Sequence, residues 1–276
     1  MPKYLTENQV RQYHEEGFCS PIDVMPEHEA LALADRLAEA EQVDPEGLQG
    51  RSRNNAHLVF QFLDEIAFHP VILDIVEDLL GKDFLLWGTV LFIKEPESTG
   101  YVSWHQDATY MGLEPHQFLT PWLALSNSNP VNGCMSMIPG SHRDSIRAHT
   151  DTFAEDNLLT RGQSIDDIDE SSAMDLVLKP GQASVHHCRT IHGSRSNRSD
   201  QRRIGVALQS FITPDVKAIG GTGHSLPCRG TDPLAHHQAL TRPIADMSDQ
   251  GLRQREMVNE NWAEILYRGA EKSRNY

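Results

Sequence analysis

Apolar residues recur at helical spacing through roughly the first eighty positions and at strand-like spacing afterwards. "TENQVRQYHEEGF" predicts a short helix. Thr6 stands at its cap, Gln9 at the capping-box position, and Gly17 at its end. "MPEHEALALADRLAEAEQV" predicts a second, with Pro26 in the first turn and Leu31, Leu33, Ala34, Leu37 and Ala38 along one stripe. Residues 44–56 are polar and read as a loop. "HPVILDIVEDLLGKD" predicts a third amphipathic helix, stopped by Gly81. The period then shortens. "FLLWGTVLFIKEP" reads as one buried strand, and "TPWLALSNSN" and "GCMSMIPGSH" follow as strands around the turn residues "NPVNG". Residues 141–172, which contain "SIDDIDESS", are polar and acidic and read as an insertion or lid rather than core. "MDLVLKPGQASVHHCRTIHGS" holds two short strands around a Lys-Pro-Gly turn, and "RRIGVALQSFITP" is a further strand.

Helices first, many short strands next and a helical tail last favour an α+β architecture built on an antiparallel sandwich or barrel. No linker interrupts the chain, so residues 1–276 are expected to form a single domain, with a core at about 8–215 and a helical tail at 216–276.

Composition narrows the partners. A formal charge of −15 disfavours nucleic acid and anionic membrane. No apolar run approaches the roughly 20 residues of a membrane span, and "MPKYLTENQVRQYHEEGF" has no apolar signal region. Cys19, Cys134, Cys188 and Cys228 are scattered without CxxC spacing, which argues against a disulfide framework or zinc knuckle and fits a cytoplasmic protein. One segment departs from the acidic average. Residues 189–203 carry Arg189, Arg195, Arg198, Arg202 and Arg203 against a single acid, Asp200. Two readings stand: a site for a small anion, or a solvated loop with ordinary surface arginines.

In "WHQD", strand alternation would aim His105 and Asp107 at the same side. His192, in "TIHGS", follows another apolar strand and offers a third ligand. Two imidazoles and one carboxylate on one face of an octahedral ion leave three positions open, the facial-triad arrangement of non-haem Fe(II) oxygenases. Those positions suit a bidentate 2-oxo acid and then O₂. A 2-oxo acid such as 2-oxoglutarate has a second carboxylate that needs an anchor. Arg203, opening the strand after the His192 loop, offers two parallel hydrogen bonds, and Ser194 a hydroxyl.

"WHQD", "WLALSNSNPVNGCMSMIPGSHR" and "HGSRSNRSDQRRIGVAL" together resemble the phytanoyl-CoA dioxygenase family of Fe(II)/2-oxoglutarate oxygenases. The resemblance covers about residues 8–215. It includes the "GF" after the first helix and the eleven-residue spacing from His192 to Arg203. It implies a double-stranded β-helix, a distorted cupin-like jelly roll flanked by N- and C-terminal helices, with the metal inside one end. It implies His105, Asp107 and His192 as metal ligands and Arg203 as cosubstrate anchor, with Arg202 taking that role if the strand slips by one residue. Ser194 matches a position near the cosubstrate carboxylate. Lys94 is either a cosubstrate or substrate contact or a strand-end lysine reaching solvent.

Related halogenases carry a small residue in place of the HxD acid. Asp107 therefore favours hydroxylation, desaturation or ring formation. The expected reaction is hydroxylation of an unactivated C–H of a small polar or anionic metabolite or natural-product intermediate, with release of succinate and CO₂. The anionic character rests on Arg189, Arg195 and Arg198. Two other classes compete: a different cupin-type metal enzyme (a cofactor-free dioxygenase or isomerase), and a non-catalytic binding protein that retains the pocket.

The remaining residues have plainer readings. Tyr110, Met111 and Trp122 either bound the substrate cavity or belong to the core. His186 and His187 should point to opposite faces as packing groups, one of them lining the pocket. Trp104 should face away from the metal. His142 and Arg143 should cap the turn after "IPGS", while His57, His69, His116 and His149 read as structural. Asn54 and Asn55 sit where a loop could reach the mouth of the site.

Overall fold

Thr6 and Gln9 close the first helix as their spacing predicts. In the computed structural model, which describes residues 2–272, the Thr6 hydroxyl accepts from the Gln9 amide at 3.2 Å, and the Gln9 side chain accepts from the Thr6 amide at 2.9 Å. Helix α1 (Glu7–Glu16) ends at Gly17, whose φ of 87° suits glycine. Helix α2 (Glu27–Val43) starts just after Pro26, which is its N-cap rather than part of its first turn. It buries only Ala30 and Leu37 fully, and Leu31 is exposed. The expected third helix is α4 (Pro70–Leu80), closed by Gly81. A helix that the pattern did not predict, α3 (Gln61–Ala67), precedes it. Only Gln61 and Glu65 of its seven residues are exposed, too short a run for a helical period to show.

The strands that matter for the site are, in chain order, β1 (Phe18–Asp23), β2 (Phe84–Leu86), β3 (Val90–Lys94), β4 (Val102–His105), β5 (Phe118–Ala124), β6 (Met135–Met137), β7 (Met174–Asp175), β8 (Gln182–His187), β9 (His192–Ser194), β10 (Arg203–Ala207), β11 (Phe211–Ile212) and β12 (His224–Arg229), and five two-residue strands lie between or after them. Two runs expected as single strands are each broken in two. The first breaks at Gly88, where an added Cβ would lie 2.2 Å from the Trp262 ring and 2.4 Å from the Asn55 amide oxygen. The second breaks after Ala207, where β10 gives way to β11. Each break lets one stretch of chain serve two neighbours. β10 pairs with β3 and β5, whereas β11 pairs with β2 and β5.

Among the described residues the major sheet has nine strands and includes β1, β8, β5, β11, β2 and β12 in that order. The minor sheet has four, in the order β7, β6, β9, β4. Every pair named here is antiparallel, and side chains of both sheets line one cavity between them. This is the expected α+β jelly roll. No helix among the described residues is long and apolar enough to cross a membrane.

Two segments are more deeply integrated than expected. The stretch 141–172 is not a detached lid. Asn157, Leu159, Gln163 and Ile165 are buried, and the Ile165 amide donates to the Trp104 carbonyl at 2.8 Å, tying the segment to β4. The stretch after 215 is not only a helical tail, because β12 adds to the major sheet beside β2. Helix α5 (Asp249–Leu266) then stacks Trp262 on Trp87, with ring centroids 4.2 Å apart and planes 18° from parallel.

That stack gives a direct test. Trp262→Ala should destabilise the fold by about 3–5 kcal/mol, through lost burial and the cavity left behind. The check is the denaturant midpoint. A loss below about 1 kcal/mol would mean that α5 is not an integral part of the packing.

Candidate functional site

The two candidate histidine ligands face each other across one strand pair. His105 ends β4, His192 begins β9, and the two residues are direct cross-strand partners. In each, Nδ1 donates to the carbonyl two residues earlier: His105 to Ser103 at 2.8 Å and His192 to Thr190 at 2.9 Å. A carbonyl can only accept, so these bonds fix the ring orientation and leave Nε2 facing the cavity.

Asp107 does not lie in the strand as expected. It opens a 3₁₀ turn (Asp107–Thr109) just beyond β4. Gln106 before it is still extended, at φ −121° and ψ 126°, so the two-residue alternation carries through. Gln106 is fully buried and fixed at both ends of its side chain. Its amide nitrogen donates to the Arg189 carbonyl at 2.7 Å, and its oxygen accepts from the Arg147 amide at 2.9 Å. Asp107 Oδ1 thus lies 3.5 Å from His105 Nε2 and 3.8 Å from His192 Nε2. One ligand atom from each of the three residues falls within 4.8 Å of the others, and all three residues are buried.

The protonation states suit a cation. Burial alone raises the Asp107 carboxyl, but the imidazoles of His192, His105 and His186 outweigh it and hold the group well below the usual carboxylate range. Burial, then the neighbouring His105 and His186, pushes His192 well below the ordinary imidazole value, so it is neutral. A buried carboxylate beside imidazole nitrogens is the donor set that a divalent transition metal takes. The residues present therefore fit the iron that the resemblance implies.

Three side chains orient Asp107. The Tyr110 hydroxyl donates to Oδ1 at 3.1 Å, Thr120 Oγ1 lies 3.5 Å from Oδ2, and His186 Nε2 lies 3.4 Å from Oδ2. The sequence reading kept one of His186 and His187 for the pocket. The register of β8, in which His186 faces Thr120, selects His186. His187 turns the other way, against Tyr13 and His142.

Across the cavity, Arg203 opens β10 opposite Lys94 of β3. Its guanidinium lies 5.2 Å from the Trp122 ring centroid, and its Nε has no hydrogen-bond partner. Burial lowers its pKa to about 10, so it remains a cation at neutral pH. Among the described residues no carboxylate pairs with it. A buried guanidinium without a counter-ion is what the distal carboxylate of a 2-oxo diacid requires. Arg202 points outward, where Glu41 accepts two hydrogen bonds from it at 2.7 Å each and Glu95 a third at 3.0 Å. The observed register is therefore not the slipped one.

Lys94 does not reach solvent. It is buried, and its Nζ donates to Ser194 Oγ at 2.7 Å, to the Gly133 carbonyl at 3.3 Å and to the Arg195 carbonyl. Burial and the Arg203 charge lower its pKa to about 6. Ser194 lines the cavity, and Lys94 stands behind it.

Tyr110 and Trp122 line the metal pocket, whereas Met111 lines an adjoining cavity. Phe92, Met135 and Gln209 also line the metal pocket. The pattern gave no reason to single them out, because strand partners decide which of many apolar positions face inward. The arginine cluster does not converge on one anion. Arg195 pairs with Glu170 at 2.8 Å, Arg202 with Glu41 and Glu95, and only Arg203 is buried in the pocket.

The other polar candidates serve the frame. His142 donates to the His14 carbonyl at 3.3 Å, and Arg143 to that of Glu15, tying their turn to the end of α1. His57 bonds Thr89 at 2.8 Å, and burial lowers its pKa to about 3. His149 accepts from the Gln106 amide at 3.0 Å. Trp104 faces away from the metal pocket and donates to Glu170 at 3.0 Å. Asn55 is buried, and Asn54 borders the adjoining cavity.

Comparison with known proteins converges on one group. Residues 13–205 match the family model described as phytanoyl-CoA dioxygenase. A probable alpha-ketoglutarate-dependent hypophosphite dioxygenase of Stutzerimonas stutzeri is 30% identical over 63% of this chain and 61% of its own length. The human peroxisomal phytanoyl-CoA dioxygenase is 29% identical over 56% of this chain and 47% of its own. The chain thus spans less than two thirds of these curated relatives. A solved structure, the non-heme monooxygenase ThoJ in its apo form, is 31% identical with a TM-score of 0.84, covering 94% of this chain and 98% of that one.

Proposed function

The chain belongs to the phytanoyl-CoA dioxygenase family, and on that premise we propose that it is an Fe(II)- and 2-oxoglutarate-dependent dioxygenase that hydroxylates an unactivated C–H bond of a small molecule, releasing succinate and CO₂. The observation that carries this reading is the meeting of His105, Asp107 and His192 in one buried pocket that also holds the unpaired Arg203 guanidinium.

Bound there, Fe(II) with 2-oxoglutarate and O₂ supplies the oxidising power for C–H cleavage. The chain's own residues hold and shield. His105 Nε2, His192 Nε2 and an Asp107 oxygen hold the metal. Tyr110, Thr120 and His186 keep the carboxylate turned toward it. Arg203, backed by Trp122, pairs with the far carboxylate of the 2-oxo acid, and Ser194 adds a hydroxyl. Phe92, Val102, Met135 and Ala207 wall the pocket and exclude water. The Asp107 carboxylate fills the position that a halide would need, which favours hydroxylation over halogenation.

The test is an anaerobic titration. Adding Fe(II) and then 2-oxoglutarate should raise a weak visible charge-transfer band, and admitting O₂ with a substrate should release succinate. If iron binds but 2-oxoglutarate produces no band, the reading fails and another cupin-type chemistry takes its place.

A further inference from the structure

A second cavity adjoins the metal pocket, on the side away from Ser194. Phe92, Tyr110 and Gln209 line both spaces and form the neck between them. The chamber beyond the neck is walled by Trp87, Val90, Met111, Leu158, Trp262 and Leu266. Its lining includes Asn54 and Thr160 but no charged side chain. Asn54, Val90, Phe92, Leu158 and Thr160 also border a surface cleft, which Arg53 and Glu155 help to line. The three spaces thus share walls, the surface cleft with the chamber and the chamber with the metal pocket.

We propose that this chamber receives the body of the substrate, and that the substrate is an uncharged, largely apolar molecule carrying one hydrogen-bonding group that the Gln209 amide meets at the neck. The proposal rests on the oxygenase reading above and narrows its substrate. Three observations support it. First, the metal pocket's other neighbour is a polar cleft lined by Trp104, Glu170, Arg195 and Arg198, and it is reached past Val102, Gly193 and Ser194. That side belongs to the cosubstrate if Arg203 and Ser194 hold it, which leaves the apolar side for the substrate. Second, an anion in the chamber would find no cation to replace its hydration, whereas rings and hydrocarbon find Trp262, Leu158 and Leu266. Third, the Gln209 side chain is half-buried and makes no hydrogen bond among the described residues. An amide held at a neck without a partner can donate to or accept from a ligand group.

The expectation of a polar or anionic substrate drew on Arg189, Arg195 and Arg198; Arg195 and Arg198 border the polar cleft, and none of the three lines the chamber. Hypophosphite, which the Stutzerimonas relative's name specifies, is a small anion and would gain nothing from such a chamber.

Calorimetry on the full chain tests the proposal with four probes: 2-naphthamide and decanamide, and their acids 2-naphthoate and decanoate. With saturating succinate present to occupy Arg203, at least one amide should bind about tenfold tighter than its acid, since only the acid then brings an unpaired charge. Leu158→Trp fills the mouth from an exposed position and should weaken that amide by about tenfold or more, while Gln209→Leu should weaken it by about fivefold. Arg195→Ala, in the polar cleft, should leave it unchanged. Unchanged melting temperatures show that the variants are folded. The proposal is overturned if neither amide binds, if the acids bind as tightly, if Leu158→Trp has no effect, or if hypophosphite drives succinate release. Probe binding is read without iron, so it fails independently of the charge-transfer test.

Discussion

Asp107→Ala is expected to weaken ferrous-ion binding by more than about 100-fold, and to abolish succinate formation linked to substrate. The magnitude follows from the site's charge. Asp107 is the one carboxylate in the triad, and it is buried there. Changing a partner behind a metal ligand already costs about 10- to 100-fold in affinity, so removing a charged ligand costs more. Asp107→Asn is the sharper variant. It keeps a group that can accept from the Tyr110 hydroxyl but discards the charge. Equilibrium dialysis with Co(II) as a stable stand-in measures both variants. Near-normal affinity in either would move the metal away from His105, Asp107 and His192.

Arg203→Ala is expected to raise the 2-oxoglutarate concentration at half-saturation by roughly 100- to 4,000-fold, because breaking a buried charge pair costs about 3–5 kcal/mol. Arg203→Lys should recover only part of the loss, since an ammonium keeps the charge without the two-pronged geometry. Arg202→Ala serves as the control. Its partners are Glu41 and Glu95 near the surface, so it should cost at most about 1 kcal/mol of stability and leave 2-oxoglutarate binding untouched. An unchanged 2-oxoglutarate requirement in Arg203→Ala would assign the anchor to another group.

Local features were legible in the sequence, and long-range ones were not. The Thr6–Gln9 capping box and the Gly17 and Gly81 stops depend on neighbours within a few residues, and they stand where the pattern put them. The two-residue alternation placed Asp107 beside His105, whereas the long-range meeting with His192 was legible only through the motifs that resemble the phytanoyl-CoA dioxygenase family. What escaped depends on distant partners. Gly88 lies in the gap between β2 and β3, where Trp262 and Asn55 leave no room for a Cβ, and nothing within "FLLWGTVLFIKEP" announces either. Lys94 reads as a solvent-seeking strand end until the Ser194 hydroxyl and the Gly133 and Arg195 carbonyls are seen to surround its Nζ. The arginine-rich stretch looks like one basic patch because its residues are close in sequence, yet neighbouring strand residues face opposite sides. Glu41, Glu95 and Glu170, the acids that neutralise two of them, come from far along the chain.

Strand β2 has consequences for synthesis on the ribosome. Its partners, β11 and β12, both lie in the last third of the chain. At ordinary elongation rates of about 5–20 residues per second, the apolar stretch Phe84–Leu86 emerges roughly 6–30 s before either flank is covered. During that interval the nascent polypeptide exposes backbone with no strand partner along both edges of a greasy segment, the situation that invites mispairing with a neighbouring chain. Yield in a cell should therefore depend on holding chaperones during translation more than on the robustness of the finished barrel.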